Sequence, residues 1–314
     1  MGDVFSIDGR NIKNIKARIS KGIGIVNRIM TMLNGIPFGK QYFQVGIILR
    51  NCLLVSSMLF NSEAWYNVTR SELELLESID LSLLRQLLKA PRGTPKEMIY
   101  LELGILPFRE LVRGRRLNFL HEILNEERNS LVLKCLKAQL KNKNKKDWVN
   151  MVFEDLKYLE LENLSMQEIQ GMKRHLFRKL VKQKIEEKEL IKLETLKKSH
   201  TKVRKIEHNG LIMQKYLQPN ATKMTKEEAQ LIFQLRCRVT SVKSNLKAKF
   251  ESIECRACKI DEESQEHIVN KCKILNKDEK QIEYEKLYNG TVIEKIKVAR
   301  KFKENFELLQ NMNG

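Results

Sequence analysis

The sequence predicts a mainly α protein, on three observations. Gly and Pro together number 19 of 314 residues, too few for a chain built from short strands and turns. Apolar residues recur at three- and four-residue spacing through most of the chain, the period of one helix face. A short β-like run occurs only at the very start.

That start is Val4-Phe5-Ser6-Ile7 before Asp8-Gly9, which reads as one strand ending in a turn. An isolated strand has no partner for its backbone groups, so residues 1–9 read as the remnant of a sheet. From Asn11 the period becomes helical: Ile12, Ile15, Ile19, Ile23, Val26, Met30 and Leu33 share a face. Gly22 and Gly24 weaken this helix, and Gly35-x-Pro37 ends it. Tyr42–Phe60 is a second helix. Its length would suffice for a membrane span, but Arg50 sits at its centre beside Gln44 and Asn51, so a buried bundle helix is expected.

Ser71-x-x-Glu74 is a capping box before Leu75, Leu76, Ile79, Leu83, Leu84 and Leu87. Pro91 to Pro95 breaks that helix. Lys96–Leu103 is a short helix stopped by Gly104-x-x-Pro107, and Glu110–Asn125 is another. The polar, basic run Lys141–Lys146 is the best boundary by composition. Trp148–Leu159 and Met166–Lys198 read as helices, the second with dense Lys and Glu on what reads as a solvated face. Gly210–Pro219 is a loop. Thr225–Val242 is a helix with Thr225 as N-cap and Glu228 three residues on.

Near the end, Cys255, Cys258, His267 and Cys272 form C-x2-C-x8-H-x4-C. Four soft or borderline ligands in so short a stretch suit tetrahedral zinc. The first pair forms a turn whose thiolates face one point, and His267 and Cys272 also converge. Glu262, Glu263 and Glu266 keep the segment between polar, as where metal replaces a core. All four positions are protein ligands, so the site reads as structural, with no open position for a catalytic water. The alternative is three unrelated thiols and a surface histidine. Cys52 and Cys135 read as core, and Cys237 as a structural thiol despite Arg236 and Arg238 beside it. No signal-like start accompanies the cysteines, so the chain is expected to be intracellular, nuclear or cytoplasmic. Met1-Gly2-x-x-x-Ser6 fits a myristoylation pattern, but Asp3 is a poor successor to the acceptor glycine.

Catalytic motifs are missing. The chain holds no phosphate-binding glycine loop, no H-E-x-x-H and no G-x-S-x-G. Its seven aspartates include no adjacent pair to hold two magnesium ions. Glu63, Glu77, Asp80 and Glu102 read as capping and ion-pairing groups for Arg70, Arg85 and Arg109.

The charge is unbalanced: 58 Lys and Arg against 39 Asp and Glu give +19. Such a field selects polyanions, foremost nucleic acid, with an anionic membrane surface as the lesser alternative. Residues 9–62 contain no acid but hold Arg10, Lys13, Lys16, Arg18, Lys21, Arg28, Lys40 and Arg50. Residues 134–215 carry 21 basic and 11 acidic residues. The candidate nucleic-acid-binding residues are Arg10, Lys13, Lys16, Arg18, Lys21 and Arg28, with Lys141, Lys143, Lys145 and Lys146. RNA or DNA is the expected partner, with no small-molecule substrate and no membrane; the oligomeric state is left open.

Several stretches resemble the reverse transcriptases of non-LTR (LINE-type) retrotransposons. Met1-Gly2-Asp3 with Ser6 looks like the Y-L-G-D segment near the end of their palm. Asn61-Ser62-Glu63-Ala64-Trp65 is similar to the G-x-E-x-W that follows their thumb. Leu76 to Leu88, Tyr100 to Arg109 and Arg115-Arg116-Leu117 resemble the helices beyond, and the terminal motif resembles the family's CCHC module. The resemblance implies a remnant palm strand (1–9), thumb-like helices (10–62), a helical linker (63–140), a basic helical region (141–252), the CCHC zinc module (253–274) and a helical tail (275–314). The family's catalytic Tyr-x-Asp-Asp lies upstream of the Gly-Asp segment. The expectation is therefore a nucleic-acid-binding C-terminal part of an RNA-directed DNA polymerase, not itself an enzyme. The competing reading is a recruited zinc-containing helical protein that binds protein partners.

Overall fold

The computed structural model describes residues 12–35, 41–142, 147–200, 204–206, 210–218, 224–276 and 282–312. Among them are thirteen α-helices and no strand, only one antiparallel bridge, Glu254 to Glu262. The mainly helical class is as expected; the strand at Val4–Ile7 lies outside the described residues. The chain forms two compact units. One takes the described residues of Met1–Met32 with Ile47–Leu83 and Leu106–Lys192; the other takes those of Leu33–Gly46, Leu84–Ile105 and Leu193–Gly314. Segments 10–62, 63–140 and 141–252 each contribute to both. Apolar faces, not loop composition, decide which residues share a core.

In the first unit, α1 (Ile12–Asn34) buries Ile15, Val26 and Ile29. Gly22 lets it approach the following helices: a methyl there would lie 2.6 Å from Met58 Sδ. The apolar run is helical, as α2 (Tyr42–Leu49), a π-helical turn at Arg50–Val55 and α3 (Ser56–Met58). No helix among the described residues is long and apolar enough to cross a membrane. Arg50 is buried and pairs with Asp80 of α4 (Arg70–Leu88) at 2.6 and 2.7 Å. Thr69 rather than Ser71 caps α4: the Glu72 amide donates to Thr69 Oγ1, and Glu72 accepts from the Thr69 amide. Both quartets fit the pattern, and the helix starts earlier than the Ser71 reading requires.

A core of this unit gathers apolar residues from α6 (Phe108–Leu124), α7 (Leu131–Asn142), α8 (Trp148–Tyr158), α9 (Met166–Gly171) and α10 (Arg174–Ser199). The single helix expected over Met166–Lys198 is two, because Met172 is extended, with ψ 141°. The break lets Ile169 of α9 and Phe177 of α10 both reach the core.

The second unit includes α5 (Lys96–Leu103), α11 (Lys226–Arg236), α12 (Lys286–Asn289) and α13 (Val292–Asn311). α11 begins on the expected Thr225–Glu228 capping box but ends at Arg236, before the expected Val242. At its centre Glu102, fully buried, accepts from Tyr216 Oη (2.6 Å) and Arg236 Nε (3.0 Å). Burial and the Glu102 charge hold the Tyr216 phenol protonated, well above its ordinary value. Gly104 ends α5 at φ +65°.

Candidate functional site

The four residues of the C-x2-C-x8-H-x4-C motif converge. Their ligand atoms all lie within 4.8 Å of one another. Cys255 Sγ is 3.9 Å from Cys272 Sγ, and Cys258 Sγ is 3.3 Å from His267 Nε2. A tetrahedral ion with metal–sulfur bonds of ~2.3 Å sets sulfur–sulfur edges of about 3.8 Å. Those two edges are close to that size, and the four residues could hold a metal ion.

Local structure explains the convergence. Cys255 and Cys258 lie on a tight turn: the Cys255 amide donates to Asp261 O (2.7 Å), the Lys259 amide to Cys255 O (2.8 Å), and Lys259 adopts φ 55°. In this turn the amides of Ala257 and Cys258 serve Cys255 Sγ, and those of Ile260 and Asp261 serve Cys258 Sγ. The second pair is five residues apart. On an α-helix such positions diverge by about 140°. Here His267–Lys271 is π-helical, with the Cys272 amide donating to His267 O (2.8 Å). That wider turn brings the two side chains back to one side.

Burial pushes the Cys255 thiol up to about 11, against the amides that favour its thiolate. At Cys258 burial acts the same way, but the Asp261 and Ile260 amides outweigh it and hold the thiol below its ordinary value. Burial lowers His267, leaving the neutral imidazole that a metal requires. The Asp261 carboxylate lies 3.6 Å from its other ring nitrogen, Nδ1. The arrangement can hold a metal ion on four protein ligands.

Sequence reasoning missed what anchors this site. Glu263 is fully buried. It accepts from Arg256 Nε and Nη2 (2.8 Å each), from the Arg256 amide (3.2 Å) and from the Lys243 amide (3.3 Å). Gln265 donates to Thr240 Oγ1 and accepts from Tyr284 Oη, both at 2.6 Å. Asn305 of α13 donates to Ile268 O at 2.8 Å. Nothing in the spacing signals these partners, and all but Arg256 come from outside the motif.

The candidate basic residues divide. Lys13, Lys16, Lys21 and Arg28 are exposed on α1 and, at 100° per residue, share an arc of about 140°. Arg18 is a correction: it is buried, on the opposite side of the helix. Its Nε donates to Asn14 Oδ1 and its Nη1 to the Ser57 and Met58 carbonyls, and the guanidinium lies 4.9 Å from the Trp65 ring centre. Lys141 is exposed at the end of α7; Arg10, Lys143, Lys145 and Lys146 lie outside the described residues.

Cys52 and Cys135 are also corrections, since both are exposed. Their helices bury one face only, and the cysteines sit on the other. Cys237 is buried, and burial with the Glu102 charge pushes its thiol well up despite Arg236. Three of the four carboxylates are ion-paired: Glu77 takes Arg109 in a two-point pair at 2.9 Å, as expected. Asp80 and Glu102 instead take Arg50 and Arg236, partners remote in sequence.

No protein-family model, curated protein or solved structure matches this chain.

Proposed function

We propose that this chain binds nucleic acid through phosphate contacts, without catalysing a reaction, and that its Cys3His cluster holds a structural zinc ion. The observation that carries the reading is the exposed face of α1, where Lys13, Lys16, Lys21 and Arg28 project in a stretch of chain that contains no acid between residues 9 and 62. A merely solvated face mixes both signs. Single-signed charge over that length attracts a polyanion and releases its counterions. Three thiolates with one imidazole are the donor set that tetrahedral zinc prefers.

In the same reading the chain corresponds to the thumb, helical linker and zinc module of a non-LTR reverse transcriptase. The support is the sequence resemblance, above all at Tyr100–Arg109 and in the cysteine–histidine motif.

The test is a titration of labelled duplex across a range of salt. Reversing Lys13, Lys16, Lys21 and Arg28 to Glu should flatten the slope of log affinity against log salt by roughly three to four units, at about 0.9 per lost contact on duplex DNA. Circular dichroism should report intact helices. A wild-type chain that fails to bind at low salt, or a variant with unchanged slope, would refute the reading.

A second reading, a helical zinc protein that binds protein partners, is favoured by one feature. A groove of about 320 Å³ in the first unit is lined by Tyr66, Phe119, Val132, Cys135, Leu136 and Trp148. Val132→Glu should leave nucleic-acid binding intact if the first reading holds.

A further inference from the structure

The N-terminal half of α10 carries a charge pattern that its fold does not require. Residues 174–185 hold five Lys and Arg and no acid, with Lys173 just before them, whereas residues 186–199 of the same helix hold four of each. The second half is what a solvated helix face looks like, with both signs interspersed. It serves as an internal control for the first.

Of the cations of the first half, all but Lys184, which is half-buried and pairs with Glu187 at 3.1 Å, point outward. Phe177, Val181 and Ile185 enter the core, while Lys173, Arg174, Arg178, Lys179 and Lys182 are exposed. The Lys182 side chain is 71% exposed, and its nearest carboxylate, Glu186, is 3.7 Å away. Arg174 and Arg178 share a single carboxylate, Glu122, which neutralises one charge of two. Lys173 and Lys179 pair with no carboxylate among the described residues. Arg178, Lys179 and Lys182 fall within an arc of about 100°, and from Arg174 to Lys182 the face runs about 12 Å along the axis. Arg174 also sits in the first turn, where the helix dipole disfavours cations. The placement therefore does not serve the helix itself.

We propose that this face is a second phosphate-binding surface, one that grips a nucleic-acid backbone independently of the α1 face. The proposal rests on the nucleic-acid reading above and assigns that role to residues outside α1 and outside Lys141–Lys146. Cations recurring turn by turn on a rigid helix match the regular spacing of backbone phosphates, and such contacts carry no sequence preference. An anionic membrane is the weaker partner. A helix lying in a membrane interface must offer it an apolar face. The apolar face of α10 is spent on the core, and beside the cations only Leu176 is an exposed large apolar residue.

The experiment uses the full chain with Lys173, Lys179 and Lys182 changed together to Gln, which leaves the Glu122 pairs untouched. Binding to a duplex of about 20 base pairs is measured across salt, beside sedimentation with phosphatidylserine vesicles. The salt slope on duplex DNA should flatten by about two to three units, at 0.9 per contact. The melting temperature should be unchanged and vesicle binding unaffected. An unchanged slope, with the α1 variant still flattening it, would overturn this inference and leave the nucleic-acid reading standing. A wild-type chain that does not bind duplex at low salt would overturn both. A variant whose only loss is on vesicles would assign the face to membrane instead.

Discussion

Glu263 reads in sequence as polar filler between two pairs of metal ligands, yet its side chain is fully buried. Desolvation alone would favour its neutral acid. The Arg256 fork and the backbone amides of Arg256 and Lys243 outweigh that and hold the carboxyl below its ordinary value of 4.5. A carboxylate whose folded pKa is depressed adds stability above its unfolded pKa and loses it as pH falls through the folded one. Glu263→Gln is therefore expected to destabilise the protein by about 1–3 kcal/mol at pH 7, the usual cost of leaving such a donor set poorly served. The difference from wild type should narrow toward pH 3. Calorimetry at the two pH values checks this; equal melting temperatures at pH 7 would refute it. The convergence of the four candidate ligands was legible, because cysteine and histidine spacing is local. Their anchors, and the burial of Arg18, depend on segments far away in the chain and left no mark in the spacing.

At the scale of single elements, helices were legible where an apolar stripe recurred, since that stripe is what each helix buries. Their ends were less so. Thr69-x-x-Glu72 and Ser71-x-x-Glu74 both satisfy the capping pattern, and only the first is used. The break at Met172 has no proline to announce it. Gly104 is the opposite case, a residue whose role sequence and structure state together. It stops α5 in the left-handed region, and a methyl there would lie 2.1 Å from the Met213 amide nitrogen. Gln214 of that neighbouring segment donates to Glu102 O at 3.0 Å, so the backbone has little room to retreat. Gly104→Ala is expected to cost about 2–4 kcal/mol, from left-handed strain plus displacement of the 212–214 segment. Urea denaturation measures it, and a midpoint equal to wild type would show that the segment yields freely.

At the scale of the molecule, composition announced the helical class and the excess of positive charge, but not how the chain shares out its cores. The Lys141–Lys146 run looks like a boundary, whereas both compact units draw on segments before and after it. The cysteine–histidine module is itself one local stretch, but it is held by segments on either side of it. It is no appended bead, for within the second unit Gln265 joins it to Thr240 and Tyr284, and Asn305 joins it to α13. The core of the first unit, from Leu117 to Ile185, contains none of its residues. On the proposed zinc reading, metal binding by four converging ligands in so polar a stretch is part of the folding energy. One zinc per chain is expected by elemental analysis of purified protein. Its removal by a strong chelator should raise amide hydrogen exchange through 253–272 and into residues 284–309, while the Leu117–Ile185 core keeps its protection. Absence of metal, or exchange that rises equally everywhere, would refute this account. A rise confined to the module would show that Gln265 and Asn305 merely touch it, since anchors that transmit its folding must feel its loss.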